Sequence, residues 1–187
     1  MQQNRRMLQF EMAATGVYTI PGFLSAEECR AQIARAEASG FEGALISRAG
    51  TAVLDERVRN NDRVIQDNPE LAAFLWARAS QCMPAKMLGR KLTGLNERFR
   101  YYRYVPGQRF KWHMDGAYDD GQGTRSILTF MIYLNGGFEG GETKFRFSSV
   151  TPAEGLALVF DHEQIHEGGE VLAGAKYVLR TDVLSRE

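Results

Sequence analysis

The chain has 187 residues, 44% apolar and 25% charged, with 23 Lys+Arg against 23 Asp+Glu. One domain of ordinary size is expected, with enough apolar material for a core and none of the charge excess that marks disorder. A formal net charge of zero supplies no overall field toward phosphate backbones or anionic lipid, so bulk nucleic-acid and membrane binding are not expected.

In chain order, Arg5-Arg6 lead into no apolar run of the kind that marks a secretory leader. Nowhere do ~18 apolar residues follow one another as a membrane span requires. Val17-Tyr-Thr-Ile-Pro-Gly-Phe-Leu runs into Ser25-Ala-Glu-Glu28, an S-x-x-E capping box that predicts a helix from about Ala26 to Ala38. Asn68-Pro69 announces a second helix, with Leu71, Phe74, Leu75 and the later Cys82 on one face. Between the two helices, Glu56-Arg-Val-Arg-Asn60-Asn61-Asp-Arg63 has the polarity of a loop over a pocket mouth. Cys29 and Cys82 have no C-x-x-C spacing and read as reduced thiols of a cytoplasmic protein.

After residue 95 the pattern turns to β. Runs at Phe99–Val105, Arg109–Met114, Ser126–Leu134, Thr143–Phe147, Leu156–Phe160 and Tyr177–Leu184 are separated by Gly, Asp and Asn clusters. They predict an antiparallel sandwich or barrel of about residues 96–187, with a helical N-terminal part of about 1–95 packed outside it.

The three histidines, His113, His162 and His166, all fall in this β half. On an extended strand His113 and Asp115 project from one face, so an imidazole and a carboxylate can meet one ion. A third ligand must come from elsewhere, and His162 and His166 are the candidates. Two imidazoles and one carboxylate on one side of a metal leave the other positions open, as in non-haem Fe(II) oxygenases.

Five blocks extend the pattern: Tyr104-Val-Pro-Gly-Gln-Arg-Phe-Lys-Trp-His113-Met-Asp115-Gly116, Tyr133-Leu-Asn-Gly-Gly, Gly140-Gly-Glu-Thr143, Gly155-Leu-Ala-Leu-Val-Phe160, and His166-Glu-Gly-Gly-Glu-Val-Leu-Ala-Gly-Ala-Lys176-Tyr-Val-Leu-Arg180. Together they resemble, in order, the 2-oxoglutarate/Fe(II)-dependent dioxygenases of the prolyl 4-hydroxylase type. The resemblance implies a mainly β fold with flanking helices and a double-stranded β-helix, or jelly-roll, core.

It further implies His113, Asp115 and His166 as iron ligands, with 2-oxoglutarate as cosubstrate, O2 as oxidant and ascorbate as a candidate reductant. Lys176 stands where such enzymes hold the distal carboxylate of the cosubstrate, Tyr133 where a tyrosine hydrogen-bonds it, and Tyr104 where one lines its pocket. Arg180 shares a strand face with Lys176 and is the alternative carboxylate partner; it can also pair with Asp182. Alternation puts Thr129 and Met131 on the face of Tyr133. The implied reaction is hydroxylation of an unactivated C–H bond, in a prolyl or other amino-acid side chain or a small molecule, with release of succinate and CO2. Arg100, on the face of Tyr104, is a candidate for meeting an anionic substrate.

Two other readings compete. His162-Glu163-Gln-Ile-His166 matches H-E-x-x-H, which in zinc hydrolases works from a helix. Here a strand precedes it, Gly168-Gly169 follows, and the pair His113/Asp115 is left unused. His162 is therefore expected beside the metal rather than on it. A non-catalytic cupin-like module would leave the triad unexplained.

Overall fold

The computed structural model describes residues 7–44, 46–48, 51–53 and 58–187, the two short central segments by their backbone. Glu56 and Arg57 of the expected loop lie outside the described residues.

Local signals set both helices. Helix α1 spans Ala26–Ser39, closed at its start by the reciprocal pair of Ser25 and Glu28. Helix α2 spans Pro69–Ala79, where the Asn68 side chain accepts from the Leu71 amide at 2.9 Å. Arg78 of α2 pairs with Glu28 of α1 at 2.6 Å and donates to the Phe23 carbonyl, tying the helices together. That guanidinium holds the Glu28 carboxyl down at about 2. One expectation fails on α2: Phe74 is 48% exposed, because the buried stripe runs through Leu71, Ala72, Leu75 and Ala79. Phe74 flanks that stripe and lies under the Arg78 guanidinium.

The six expected strands are present as Arg98–Tyr104, Phe110–His113, Arg125–Tyr133, Thr143–Phe145, Ala157–Asp161 and Lys176–Arg186. The fourth is shorter than expected, since the chain turns after Phe145 and leaves Phe147 90% exposed at the tip. A ten-stranded sheet runs in the order Glu11–Ala14, Val17–Ile20, Ala157–Asp161, Arg125–Tyr133, Lys176–Arg186, Arg98–Tyr104, Asp62–Asp67, Glu42–Gly43, with Arg90–Leu95 and Lys86–Met87 joined through the last turns of Lys176–Arg186. A four-stranded sheet contains Phe110–His113, His166–Gly168, Thr143–Phe145 and Ser148–Val150. Both helices do lie in the first 95 residues, but Val17–Ile20, Asp62–Asp67 and Arg90–Leu95 also join the large sheet.

The large sheet is covered on both sides. Along Arg125–Tyr133 every residue from Ser126 onward is buried, as expected of a central strand with two covered faces. Leu128, Phe130 and Ile132 pack with Phe23, Leu24 and Leu75 on the helix side. Met131 and Tyr133 pack with Tyr102, Tyr104, Phe145, Phe160 and Val178 between the sheets. The result is mostly β, a jelly-roll core with helices against one face. Gly155, at φ +76°, lets the segment before α1 dock: a Cβ there would sit 2.1 Å from the Leu24 carbonyl oxygen. In the described residues no helix is long and apolar enough to cross a membrane.

Candidate active site

His113 and His166 are direct cross-strand partners in the small sheet, which places their imidazoles side by side with centroids 4.2 Å apart. Two residues on, past the exposed Met114, the Asp115 carboxylate returns to the same side. Its Oδ1 lies 3.8 Å from His113 Nε2 and its Oδ2 3.7 Å from His166 Nε2. One ligand atom from each of the three residues lies within 4.8 Å of the others.

The backbone fixes which nitrogen each imidazole presents. His113 Nδ1 lies 2.7 Å from the Lys111 carbonyl and His166 Nδ1 3.0 Å from that of Gln164. Each Nδ1 therefore donates, leaving the Nε2 lone pairs aimed at Asp115. Packing fixes the rings: Phe110 stacks on His113 at 3.5 Å, and Phe160 meets His166 edge-on at 4.6 Å. Burial, reinforced by His166, pushes His113 down to about 4, and burial lowers His166 as well, so both rings are neutral donors. Burial alone would raise Asp115, but Arg180, His166 and the Thr129 hydroxyl hold it well below the usual carboxylate range. Two neutral imidazoles and one carboxylate with free lone pairs fit a divalent ion.

Behind Asp115 lies a directed chain of hydrogen bonds. The Tyr118 amide donates to Ser126 Oγ at 2.8 Å, and Ser126 Oγ lies 2.9 Å from His162 Nε2. His162 Nδ1 lies 3.1 Å from Thr129 Oγ1, which donates to Asp115 Oδ2 at 2.5 Å. A carboxylate only accepts, so the Thr129 proton points to Asp115 and His162 Nδ1 must donate to Thr129. Ser126 then donates to Nε2, and His162 is neutral with every donor and acceptor used. Burial lowers its pKa, in keeping with that state. His162 thus stands behind the triad, as expected. The H-E-x-x-H stretch is a turn leading into the strand His166–Gly168, not a helix.

Lys176, opposite Tyr104 in register, is 2% exposed. Its Nζ lies 5.1 Å and 5.5 Å from the rings of Tyr104 and Tyr133 and donates to the Gly141 carbonyl at 2.5 Å. Burial pushes this amine down to about 7, opposed by Glu142. Among the described residues it has no carboxylate partner.

Arg180, on the same strand face, is already engaged, at 3.2 Å from Asp115 Oδ2 and 3.0 Å from Asp182 Oδ1. Arg100 reaches Asp182 from the neighbouring strand at 3.5 Å. Tyr104, Thr129, Met131, Lys176 and Arg180 line one cavity with the triad. Tyr133 stands behind its wall, its hydroxyl 2.6 Å from Thr143 Oγ1, and Thr143 lines the cavity in its place. Strand alternation gave Tyr133 its face but could not show that Thr143 lies in front of it.

The segment expected as a charged loop is also different. Arg59 is 4% exposed and Asn61 fully buried, while Asp62–Asp67 is a strand. Tyr102 and Phe110, from strands distant in the chain, close over Arg59 from both sides.

Residues 99–181 match the profile of the 2OG-Fe(II) oxygenase superfamily. A probable prolyl 4-hydroxylase 9 of Arabidopsis thaliana is 30% identical over 149 residues, 77% of this chain; the chain spans 50% of that protein. A prolyl hydroxylase from Trichoplax adhaerens, solved with a hypoxia inducible factor degradation-domain peptide, superposes with a TM-score of 0.71 at 20% identity, over 90% of this chain and 83% of that one. A Pseudomonas putida prolyl-4-hydroxylase superposes with a TM-score of 0.68 at 21% identity, over 92% of this chain and 93% of that one.

Proposed function

Because the chain belongs with the prolyl hydroxylase-like 2OG-Fe(II) oxygenases, whose cofactors are Fe(II), 2-oxoglutarate and O2, we propose that it hydroxylates an unactivated C–H bond and releases succinate and CO2. The observation that carries this reading is the convergence of His113 Nε2, Asp115 and His166 Nε2 in one cavity with a buried lysine that has no carboxylate partner among the described residues.

In this reading the two imidazoles and the carboxylate hold Fe(II) from one side and leave the cavity side open. When bound, the ferrous ion and 2-oxoglutarate supply the oxidising chemistry, which the protein itself lacks. Lys176 takes the distal carboxylate of the cosubstrate: a buried ammonium that has only a carbonyl partner gains most from a carboxylate. The Thr143 hydroxyl, oriented by Tyr133, offers a hydrogen bond at the same end, and Tyr104 forms the wall beside it. Arg180 neutralises and orients Asp115 instead of binding cosubstrate, since its guanidinium already serves two carboxylates. Met131, Phe160 and Val178 keep that wall apolar and exclude water.

The substrate is an amino-acid side chain, prolyl or other; the peptide-bound Trichoplax relative supports a peptidyl one. Cys29 and Cys82, both free thiols, suit a reducing, cytoplasmic setting. The test is succinate formation by the purified protein in air. It should require added Fe(II) and 2-oxoglutarate and stop on chelation; hydrolysis supported by Zn(II) with no 2-oxoglutarate requirement would overturn the reading.

A further inference from the structure

Arg59 lies behind two residues of the cavity wall, outside the lining itself, and the proposed function has no use for it. It is 4% exposed, with its central carbon 4.3 Å from the ring centroids of both Tyr102 and Phe110. Both rings line the cavity of the triad, and Phe110 stacks on His113 at 3.5 Å. Arg59 is therefore separated from a candidate metal ligand by one ring.

Its position is well fixed. The Lys111 amide donates to the Val58 carbonyl at 3.0 Å, and the Arg109 amide to Asn60 Oδ1 at 2.8 Å, so the segment lies along the edge of the strand Phe110–His113. Arg59 Nε donates to Asn61 Oδ1 at 2.7 Å. Its Nη2 is buried with no hydrogen-bond partner among the described residues. A buried donor of this kind costs free energy unless something accepts from it.

The charges nearby suggest what that acceptor is. Arg59, Arg100 and Arg180 all act on the Tyr102 hydroxyl, and the carboxylates among them are Asp115 and Asp182. Arg180 engages both of these and Arg100 engages Asp182, so among the described residues Arg59 has no carboxylate partner. Loading the site does not change the imbalance, because a ferrous ion and a dianionic cosubstrate cancel in formal charge.

We infer that Arg59 is the anchor for a carboxylate on the prime substrate, so that this site takes an acid: a free amino acid through its α-carboxylate, or a peptide through an acidic residue beside the hydroxylated one. A guanidinium held against two rings and fixed by Asn61 presents a planar fork of donors, which suits a carboxylate better than a neutral carbonyl. The inference rests on the metal-site reading above.

The test uses the full chain loaded anaerobically with Fe(II) and 2-oxoglutarate, followed by its visible charge-transfer band. The probes are the free amino acids, their α-amides, and capped peptides in pairs that differ as Glu against Gln. In the wild type, a responding acid should shift the band at a concentration roughly tenfold or more below its matched amide, the loss expected for one charge-assisted hydrogen bond. Arg59→Gln should bring the two together. Response to free acids points to an α-carboxylate, and response to Glu peptides to a side-chain one.

Equal binding of acids and amides, no response to any acid, or an acid preference that survives in Arg59→Gln would overturn the inference. Should Arg59→Gln not fold, Arg59→Lys keeps the charge but not the fork, and the acid–amide comparison in the wild type stands by itself. Failure of the band to form in the wild type would instead remove the metal-site reading.

Discussion

The Thr129 hydroxyl donates to Asp115 at 2.5 Å while His162 Nδ1 stands 3.1 Å behind it, so the threonine proton is committed to the carboxylate. Asp115 is thereby held on its Oδ2 side by Thr129 and Arg180, with Oδ1 facing His113. Thr129→Val keeps the shape and removes that hydrogen bond. Fe(II) affinity should fall about 10- to 100-fold, as for other groups that orient a ligand. Thr129→Ser should restore most of it; equal losses in both variants, measured by metal titration, would show that the hydroxyl plays no part.

Lys176 and Arg180 share a strand face but should respond differently to removal. Lys176→Ala should raise the 2-oxoglutarate requirement while leaving metal binding nearly intact. Parallel titrations of Fe(II) and 2-oxoglutarate check this, and equal losses of both would contradict the role given to Lys176.

Arg180→Met leaves Asp115 and Asp182 buried without their shared partner. Breaking a buried pair from one side costs about 3–5 kcal/mol, which denaturant unfolding would read as a large drop in midpoint. Lys176→Ala removes an amine that burial already disfavours, so it should leave stability at neutral pH unchanged or slightly higher.

Lys176 also sets a pH dependence. Its pKa in the free protein is pushed down to about 7 by burial, against 10.5 ordinarily. Below that value the ammonium is already present to receive a carboxylate. Above it, binding must take up a proton, so 2-oxoglutarate affinity should weaken by up to about tenfold per pH unit until the pKa of the bound state is reached. Calorimetry at pH 8 in two buffers of different ionisation enthalpy should show proton uptake, which should be absent in Lys176→Met. In the unfolded chain the amine regains its ordinary pKa and binds the proton that the folded state releases. This group therefore adds stability as pH rises from about 7 toward 10.5.

Much of this site was legible in the sequence because its chemistry is local. His113 and Asp115 share a strand face by simple alternation, and Lys176 and Arg180 do so on the last long strand. The choice of His166 over His162 was not legible from spacing, since either could supply an imidazole; the family resemblance selected it, and the cross-strand register puts it beside His113. Depth was not legible either: Tyr133 lies behind Thr143, and Phe74 lies beside its helix stripe rather than within it. Arg59 reads as part of a charged loop because five of the eight residues from Glu56 to Arg63 are Arg, Asp or Glu, with no aromatic among them. What buries it is Tyr102 and Phe110, distant in the chain.

His166, and not His162, completes the proposed metal site. Anaerobic titration of Fe(II) and 2-oxoglutarate into the wild type, His162→Ala and His166→Ala, read by the charge-transfer band, tests it most directly. A band is expected in the wild type, a band at higher Fe(II) concentration in His162→Ala, and none in His166→Ala. A band that persists in His166→Ala and disappears in His162→Ala would contradict it.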